Sequence, residues 1–148
     1  NDPVAREKMA NAATMAGMAF ANAFLGICHS MAHKLGAFFN LPHGVANAIM
    51  LPHVMGYNVT ACPERFADVA EAMGESVAGL SVIERADKSI EAVKRLSQDV
   101  GIPSLSEVGA KLEDIPALAE LAFNDMNHNG NPKHMPVKIM EQLYKNAY

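Results

Sequence analysis

Cysteine is scarce in this sequence, and no secretion signal can be seen at its start. The two cysteines, Cys28 and Cys62, do not form a Cys-x-x-Cys pair, so a disulfide framework is excluded and a reducing compartment is favoured. The segment from Asn1 to Glu7 lacks the apolar run and cleavage site of a signal peptide. We therefore expect a cytoplasmic protein.

Charge is also sparse, and positive charge is not concentrated anywhere. Charged residues make up 19% of the 148 residues, and 12 Lys and Arg against 16 Asp and Glu give a net charge of −4. A nucleic-acid-binding surface would need a basic patch or stripe, so nucleic acid is not an expected partner.

Alternating strand patterns are missing as well. The valines, isoleucines and aromatic residues fall on helical spacings, and helix-favouring Ala, Met, Leu, Glu and Lys dominate the composition. The length suits one domain with a real hydrophobic core. We predict a single all-α domain over residues 1–148.

Capping residues, prolines and glycines divide the chain into predicted helices. These run from Pro3 to Phe39 with a bend near Leu25-Gly26, His43 to Leu51, Pro63 to Gly74, Val82 to Val100 after a Ser81 cap, Ser104 to Gly109, Pro116 to Asn127, and Pro136 to Tyr148. Pro52 should end or kink the second helix, with weak helical character up to Tyr57. Residues 127–132 should form a polar loop.

The first helical segment has almost no charge, with only Lys34 between Met9 and Asn40. One narrow apolar stripe follows helical spacing: Phe20, Phe24, Ile27, Met31, Leu35 and Phe38. The opposite face carries small residues and two histidines, so we predict a central helix that is buried on all sides. A membrane span is the alternative, but interrupting polar residues and the lack of a flanking Lys/Arg cluster argue against it.

Three histidines are the candidates for chemistry. His29 and His33 are four residues apart and share one helix face, where two imidazoles can share a metal or act on one substrate. His43 would lie about 21 Å from His29 on a continuous helix, but the break at Asn40-Leu41-Pro42 lets the chain turn back. A catalytic divalent-metal site usually includes a carboxylate, and none stands at a ligand-like spacing before His29. The remaining ligands therefore come from another part of the fold or from outside this chain.

The segment from Gly26 to Gly44 resembles a known family signature. It fits the pattern G-x-x-H-x-x-x-H-x-x-G-x-x-x-x-x-P-H-G at every fixed position, and it is similar to the motif of iron-containing (group III) alcohol dehydrogenases. The flanking segment 16–26 resembles the alcohol dehydrogenase half of bifunctional aldehyde–alcohol dehydrogenases. Residues 99–103 and 130–132 are more similar to lactaldehyde and propanediol reductases of the same family.

The resemblance implies a fold and a set of roles. The chain would be the C-terminal, helical, metal-binding domain of a dehydroquinate synthase-like fold, without the N-terminal nucleotide-binding α/β domain. His29 and His43 match two of the family's metal ligands, and His33 matches a histidine near the substrate and the nicotinamide that can relay a proton. An Asp and a further His ligand would lie upstream of Asn1.

The implied reaction is reversible, NAD(P)-linked oxidation of a primary alcohol to an aldehyde, with small alcohols and aldehydes as substrates. The metal would act as a Lewis acid on the alcohol oxygen. It would be Fe²⁺, although His and Asp sites also accept Zn²⁺ or Mn²⁺. The full-length enzyme is expected to be a homo-oligomer, and this chain alone is expected to be inactive. A helical metal-binding or scaffold domain without catalysis is the alternative.

Other residues carry weaker expectations. Phe20 lies near the predicted substrate pocket, but its place in the apolar stripe favours the core. His53 is expected to be structural, His128 and His134 exposed, and Cys28 packed. The sequence departs from the family pattern at Asn127, where a Cys is common, and at Lys133, where an Arg is usual.

Overall fold

The computed structural model describes residues 2–148 and shows no strand among them. Its seven α-helices are α1 (Pro3–Ala23), α2 (Ile27–Phe39), α3 (His43–Asn58), α4 (Pro63–Ala72), α5 (Val82–Asp99), α6 (Ile115–Phe123) and α7 (Val137–Asn146). Three short 3₁₀ helices span Val59–Ala61, Leu112–Asp114 and Met126–Gly130. The all-α prediction is confirmed, and the boundaries of α4, α5 and α7 lie within about two residues of those predicted.

The core forms around α2, which packs against α3 and α6. One face of α2 carries Ile27, Met31 and Leu35, all fully buried, at the four-residue spacing of a helix face. The buried Tyr144 of α7 donates a hydrogen bond from its hydroxyl to the Met31 carbonyl, at 2.8 Å. This packing fixes the helix that carries His29 and His33.

The predicted burial of the whole first segment is wrong for α1. The chain breaks after Ala23, where Phe24 takes a positive φ of 64°, and α1 has no buried residue. Its stripe residues Phe20 and Phe24 are 45% and 80% exposed. A charge-free, apolar helix is buried only where another element covers it, and no other described element packs closely on α1.

Pro52 lies inside its helix, so of the two predicted effects, ending or kinking the helix, the structure excludes the ending. α3 continues through Pro52 to Asn58. An interior proline removes one backbone donor and crowds the preceding turn. Pro52 is itself buried, and so are Val54 and Met55 in the following turn. The burial of these residues offsets the free-energy cost of the interior proline. Such tertiary packing cannot be read from helical periodicity or from the positions of prolines and glycines.

Two other boundaries differ from the prediction. Residues 104–109 form turns rather than a helix, because the Leu105 amide donates to the Ala147 carbonyl at 2.8 Å and Gly109 has a φ of 86°. α6 ends at Phe123 instead of reaching Asn127. The predicted polar loop then contains the 3₁₀ helix Met126–Gly130, which begins after Asp125 caps the Asn127 amide.

Within residues 2–148, no single helix has the length and hydrophobicity to cross a membrane. α1 and α2 meet those criteria only as a pair, and they are bent by 112° at the break between them.

Candidate metal centre

Three histidine rings converge where α2 and α3 meet. The ring centroids of His29 and His43 are 5.3 Å apart, and the ring of His33 lies 5.9 Å from His29 and 5.6 Å from His43. The turn between the helices brings His43 back, since Asn40 adopts the left-handed conformation at φ 52° and His43 is the first residue of α3. His29 and His43, fourteen residues apart in sequence, are therefore neighbours in space.

The surroundings of His29 favour its uncharged form. Partial burial, followed by the nearby His43 and His33 rings, lowers its pKa below the ordinary value. Neutral imidazole has a lone pair for a metal or a proton, which imidazolium does not have. The electrostatics thus favour the form of His29 that can coordinate.

His43 has a hydrogen-bond partner one helical turn away. The Asn47 amide nitrogen lies 3.2 Å from His43 Nε2 and donates to the His43 carbonyl at 3.0 Å. With Nε2 as the acceptor, the proton of the neutral ring sits on Nδ1. Asn47 must release Nε2 before that nitrogen can coordinate a metal.

His33 contacts a carboxylate that no sequence motif links to it. Its Nδ1 lies 3.2 Å from Oδ2 of Asp125, and the Lys34 ammonium lies 2.8 Å from the same oxygen. The Asp125 side chain is only 10% exposed. Because 92 residues separate the pair and Asp125 was assigned to the interior of a helix, no sequence spacing could connect them.

Asp125 is kept ionised by its hydrogen bonds. Burial alone would raise the pKa of its carboxyl, but donation from Lys34, the Asn127 backbone, His33 and the Asn127 side chain outweighs burial. The net pKa lies well below the usual range of an aspartate. Asn127 holds the other oxygen, Oδ1, through its backbone nitrogen at 3.0 Å and its amide nitrogen at 2.8 Å.

The segment that carries Asp125 is anchored to the start of α2. A Cβ on Gly130 would collide with the Leu25 carbonyl oxygen, so only glycine fits this approach. Asn131 pairs reciprocally with Asn58, with side-chain distances of 2.9 and 2.7 Å, and its Oδ1 also accepts from the Ile27 amide at 3.4 Å. These contacts fix the position of Asp125 relative to His33.

Phe20 lies beside the cluster but outside the core. Its ring centroid is 6.1 Å from that of His29, and it is exposed, so the expectation that it is a core residue is wrong. Nearby in the chain, a largely apolar cavity of about 370 Å³ lies between the break after α1 and the 3₁₀ helix 126–130. Its lining comprises Phe24, Leu25, Met126, Asn127, Asn129 and Gly130.

The other histidines lie apart from this centre. His128 and His134 stack at 5.6 Å next to Phe123. His128 is half-buried and hydrogen-bonded to the Phe123 carbonyl at 2.9 Å, whereas His134 is exposed, as expected. Half-buried His53 has a pKa lowered by burial and then by Lys94.

The two positions that depart from the family pattern, and Cys28, have structural partners. Lys133 contacts the Thr60 hydroxyl at 3.1 Å and lies 4.2 Å from the centre of the Tyr57 ring, while Asn127 holds Asp125. Cys28 donates weakly to the Asn47 carbonyl, and burial raises the pKa of its thiol to about 12. Such a thiol is inert at neutral pH.

The chemistry of the donors fits part of a metal site. His29 and His43 offer imidazole nitrogens, which suit first-row divalent ions. In the part of the chain that the structure describes, no three His, Cys, Asp or Glu side chains are arranged as a complete site. These residues thus fit an ion that takes further ligands from elsewhere.

Comparison with known proteins identifies the family of the chain. The model of the Fe-containing alcohol dehydrogenase family, C-terminal, matches residues 1–148. The chain is 50% identical over 145 residues to 1,3-propanediol dehydrogenase of Klebsiella pneumoniae and 49% identical over 148 residues to lactaldehyde reductase of Escherichia coli (strain K12). A crystal structure of 1,3-propanediol oxidoreductase matches with a TM-score of 0.95 at 50% identity, over 97% of this chain and 38% of that one.

The relatives are much longer than this chain. The matches cover 97% and 99% of it, but only 38% of the propanediol dehydrogenase and 39% of the lactaldehyde reductase.

Proposed function

This chain belongs to the Fe-containing alcohol dehydrogenase family, and we propose that it is the metal-binding part of an enzyme that interconverts a primary alcohol and an aldehyde with NAD(P). The observation that carries the proposal is the 5.3 Å approach of the His29 and His43 rings across the break between α2 and α3. Two imidazoles from two helices, brought together by a left-handed turn, provide half of a tetrahedral ligand set or a third of an octahedral one.

His29 and His43 are the proposed metal ligands. The ion, Fe²⁺ with Zn²⁺ or Mn²⁺ as substitutes, supplies Lewis-acid polarisation of the alcohol or aldehyde oxygen when bound. The lowered pKa of His29 supports its role, because a ligand must be deprotonated to coordinate. The Asn47 amide contacts His43 Nε2 at 3.2 Å, and it would release that nitrogen to the ion.

His33 is the proposed proton-transfer group. Its ring centroid lies within 6 Å of the ring centroids of both proposed ligands. Its Nδ1 contacts the Asp125 carboxylate. Phe20, whose ring approaches His29, is proposed to line the side of the substrate pocket. Both roles follow from proximity to the point where the two ligands meet.

The remaining ligands and the nucleotide-binding α/β domain are proposed to belong to a longer protein. The two imidazoles do not complete a site within residues 2–148, and the relatives are more than twice as long. We propose that the 148 residues alone do not turn over alcohols. Small primary alcohols are the proposed substrates, and the two free cysteines support a cytoplasmic location.

The test compares the complete gene product with single-histidine variants. We expect NAD(P)-linked oxidation of 1,3-propanediol that needs added Fe²⁺, and we expect H29A and H43A each to lower bound metal and activity at least about 100-fold. The matched control H134A removes an exposed histidine outside the cluster and should retain both. Full activity in H29A or H43A would contradict the proposal.

A second arm uses the isolated 148 residues. We expect no alcohol oxidation with added Fe²⁺ and NAD⁺. If the complete product binds metal through these histidines yet oxidises no alcohol with either nucleotide, the non-catalytic metal-binding alternative is correct and the enzyme proposal is wrong.

A further inference from the structure

We propose that Asp125 is a positioning residue that fixes neutral His33 with its proton on Nδ1, leaving Nε2 as the proton acceptor of the site. The inference rests on the proposed function of His33 and deepens it. Asp125, 92 positions from His33 in the chain, would set the tautomer and the orientation of the His33 ring.

The carboxylate faces His33 directly. Oδ2 of Asp125 is 3.2 Å from His33 Nδ1, with the side chain one-tenth exposed. An ionised carboxylate only accepts hydrogen bonds, so the nitrogen facing it must carry the proton. A neutral imidazole then has its lone pair on the other nitrogen, Nε2.

The carboxylate cannot rotate freely to serve another partner. Its second oxygen, Oδ1, accepts from both the backbone and side-chain nitrogens of Asn127, at 3.0 and 2.8 Å. The Asp125 segment is itself locked to the start of α2 by Gly130 and Asn131. Second partners of this kind orient functional histidines in many sites.

If Asp125 had a purely structural role, its main partner would be Lys34 and not His33. Its ammonium is 2.8 Å from the same Oδ2 and forms an ion pair with little exposure. Removing Lys34 while keeping its apolar stem separates the two explanations, because the ion pair is lost but the His33 contact is retained. The variant K34M is therefore the matched control.

The decisive substitution is D125N, made and measured throughout in the K34M background, because the Lys34 ammonium would otherwise lie 2.8 Å from the new NH₂. In that background the two donors from Asn127 keep the amide oxygen on their side, and the new NH₂ replaces Oδ2 and faces His33. A donor there forces Nδ1 to accept, so the proton of neutral His33 moves to Nε2. Asparagine has nearly the same shape, so the fold should be retained.

The readout is the tautomer itself, which does not depend on turnover. Long-range proton–nitrogen NMR is recorded on the complete protein, labelled with ¹⁵N-histidine and loaded with diamagnetic Zn²⁺. The pH is about 8.5, roughly two units above the ordinary pKa of histidine. The His33 signal is assigned by its loss in H33Q. We expect protonated Nδ1 in the wild type and in K34M, and protonated Nε2 in D125N.

Activity provides the second readout. D125N should lower kcat about 10- to 100-fold with KM nearly unchanged, whereas K34M should change kcat less than about threefold. Protonated Nε2 in the wild type, or an unchanged tautomer in D125N, would overturn the inference even if the enzyme is active. A protein without alcohol oxidation but with the expected tautomers would refute the proposed function and leave the positioning role of Asp125 intact.

Discussion

α1 and α2 are built from similar residues but differ in burial. Both are mostly apolar, with Arg6, Glu7 and Lys8 as the charged residues of α1 and Lys34 as that of α2. α2 buries Ile27, Met31 and Leu35 completely. α1 buries nothing in the part of the molecule that the structure describes.

The difference shows what an apolar, uncharged helix signifies. The pattern indicates that a helix can be buried, but burial needs a partner surface on the other side. α2 has α3 and α6 as partners. α1 lies before the break at residues 24–26. No described element covers its apolar side chains, so they stay exposed although the helix, like α2, is mostly apolar. On the proposed function, residues of the longer protein would cover it.

The largest expected contrast comes from one methionine in each helix. M31A should lower the free energy of unfolding by about 2–5 kcal/mol, because it empties a fully buried position. M18A removes the same side chain from α1, where it is 66% exposed, and should change stability by less than about 0.5 kcal/mol. Urea unfolding of the 148-residue chain measures both variants. Equal losses would mean that α1 is buried too, and the contrast between the helices would disappear.

A smaller contrast, of opposite sign, comes from one glycine in each region. G130A should destabilise by about 1–3 kcal/mol, because the new methyl meets the Leu25 carbonyl that anchors the Asp125 segment. G17A lies within α1 with nothing near the added Cβ, so it should stabilise by up to about 1 kcal/mol through helix propensity. Thermal unfolding decides the signs. A destabilised G17A would indicate that another element packs on that face of α1.

Much of the fold could be predicted because local signals governed it. Ser81 caps α5 as predicted, and the structure adds a capping box with Glu84. Gly74 and Gly101 take positive φ just after the ends of α4 and α5. Local rules failed where long-range packing decided the outcome. α3 passes through Pro52 because its later residues are buried, and residues 104–109 bond to the far end of the chain instead of forming a helix.

The candidate site shows the same division. The family-like pattern identified His29, His33 and His43, and the break at residues 40–42 correctly suggested that the chain turns back. Asp125 was missed because its contact with His33 depends on the end of α6 and on the anchoring of Gly130 and Asn131. No periodicity within α2 encodes a contact of that kind.

The most direct test of the central claim is a crystal structure of the complete gene product with Fe²⁺, using anomalous scattering to locate the ion. We expect one ion coordinated by His29 and His43, with its remaining protein ligands from residues outside these 148. An ion whose protein ligands exclude both histidines, or include only residues of this chain, would contradict it.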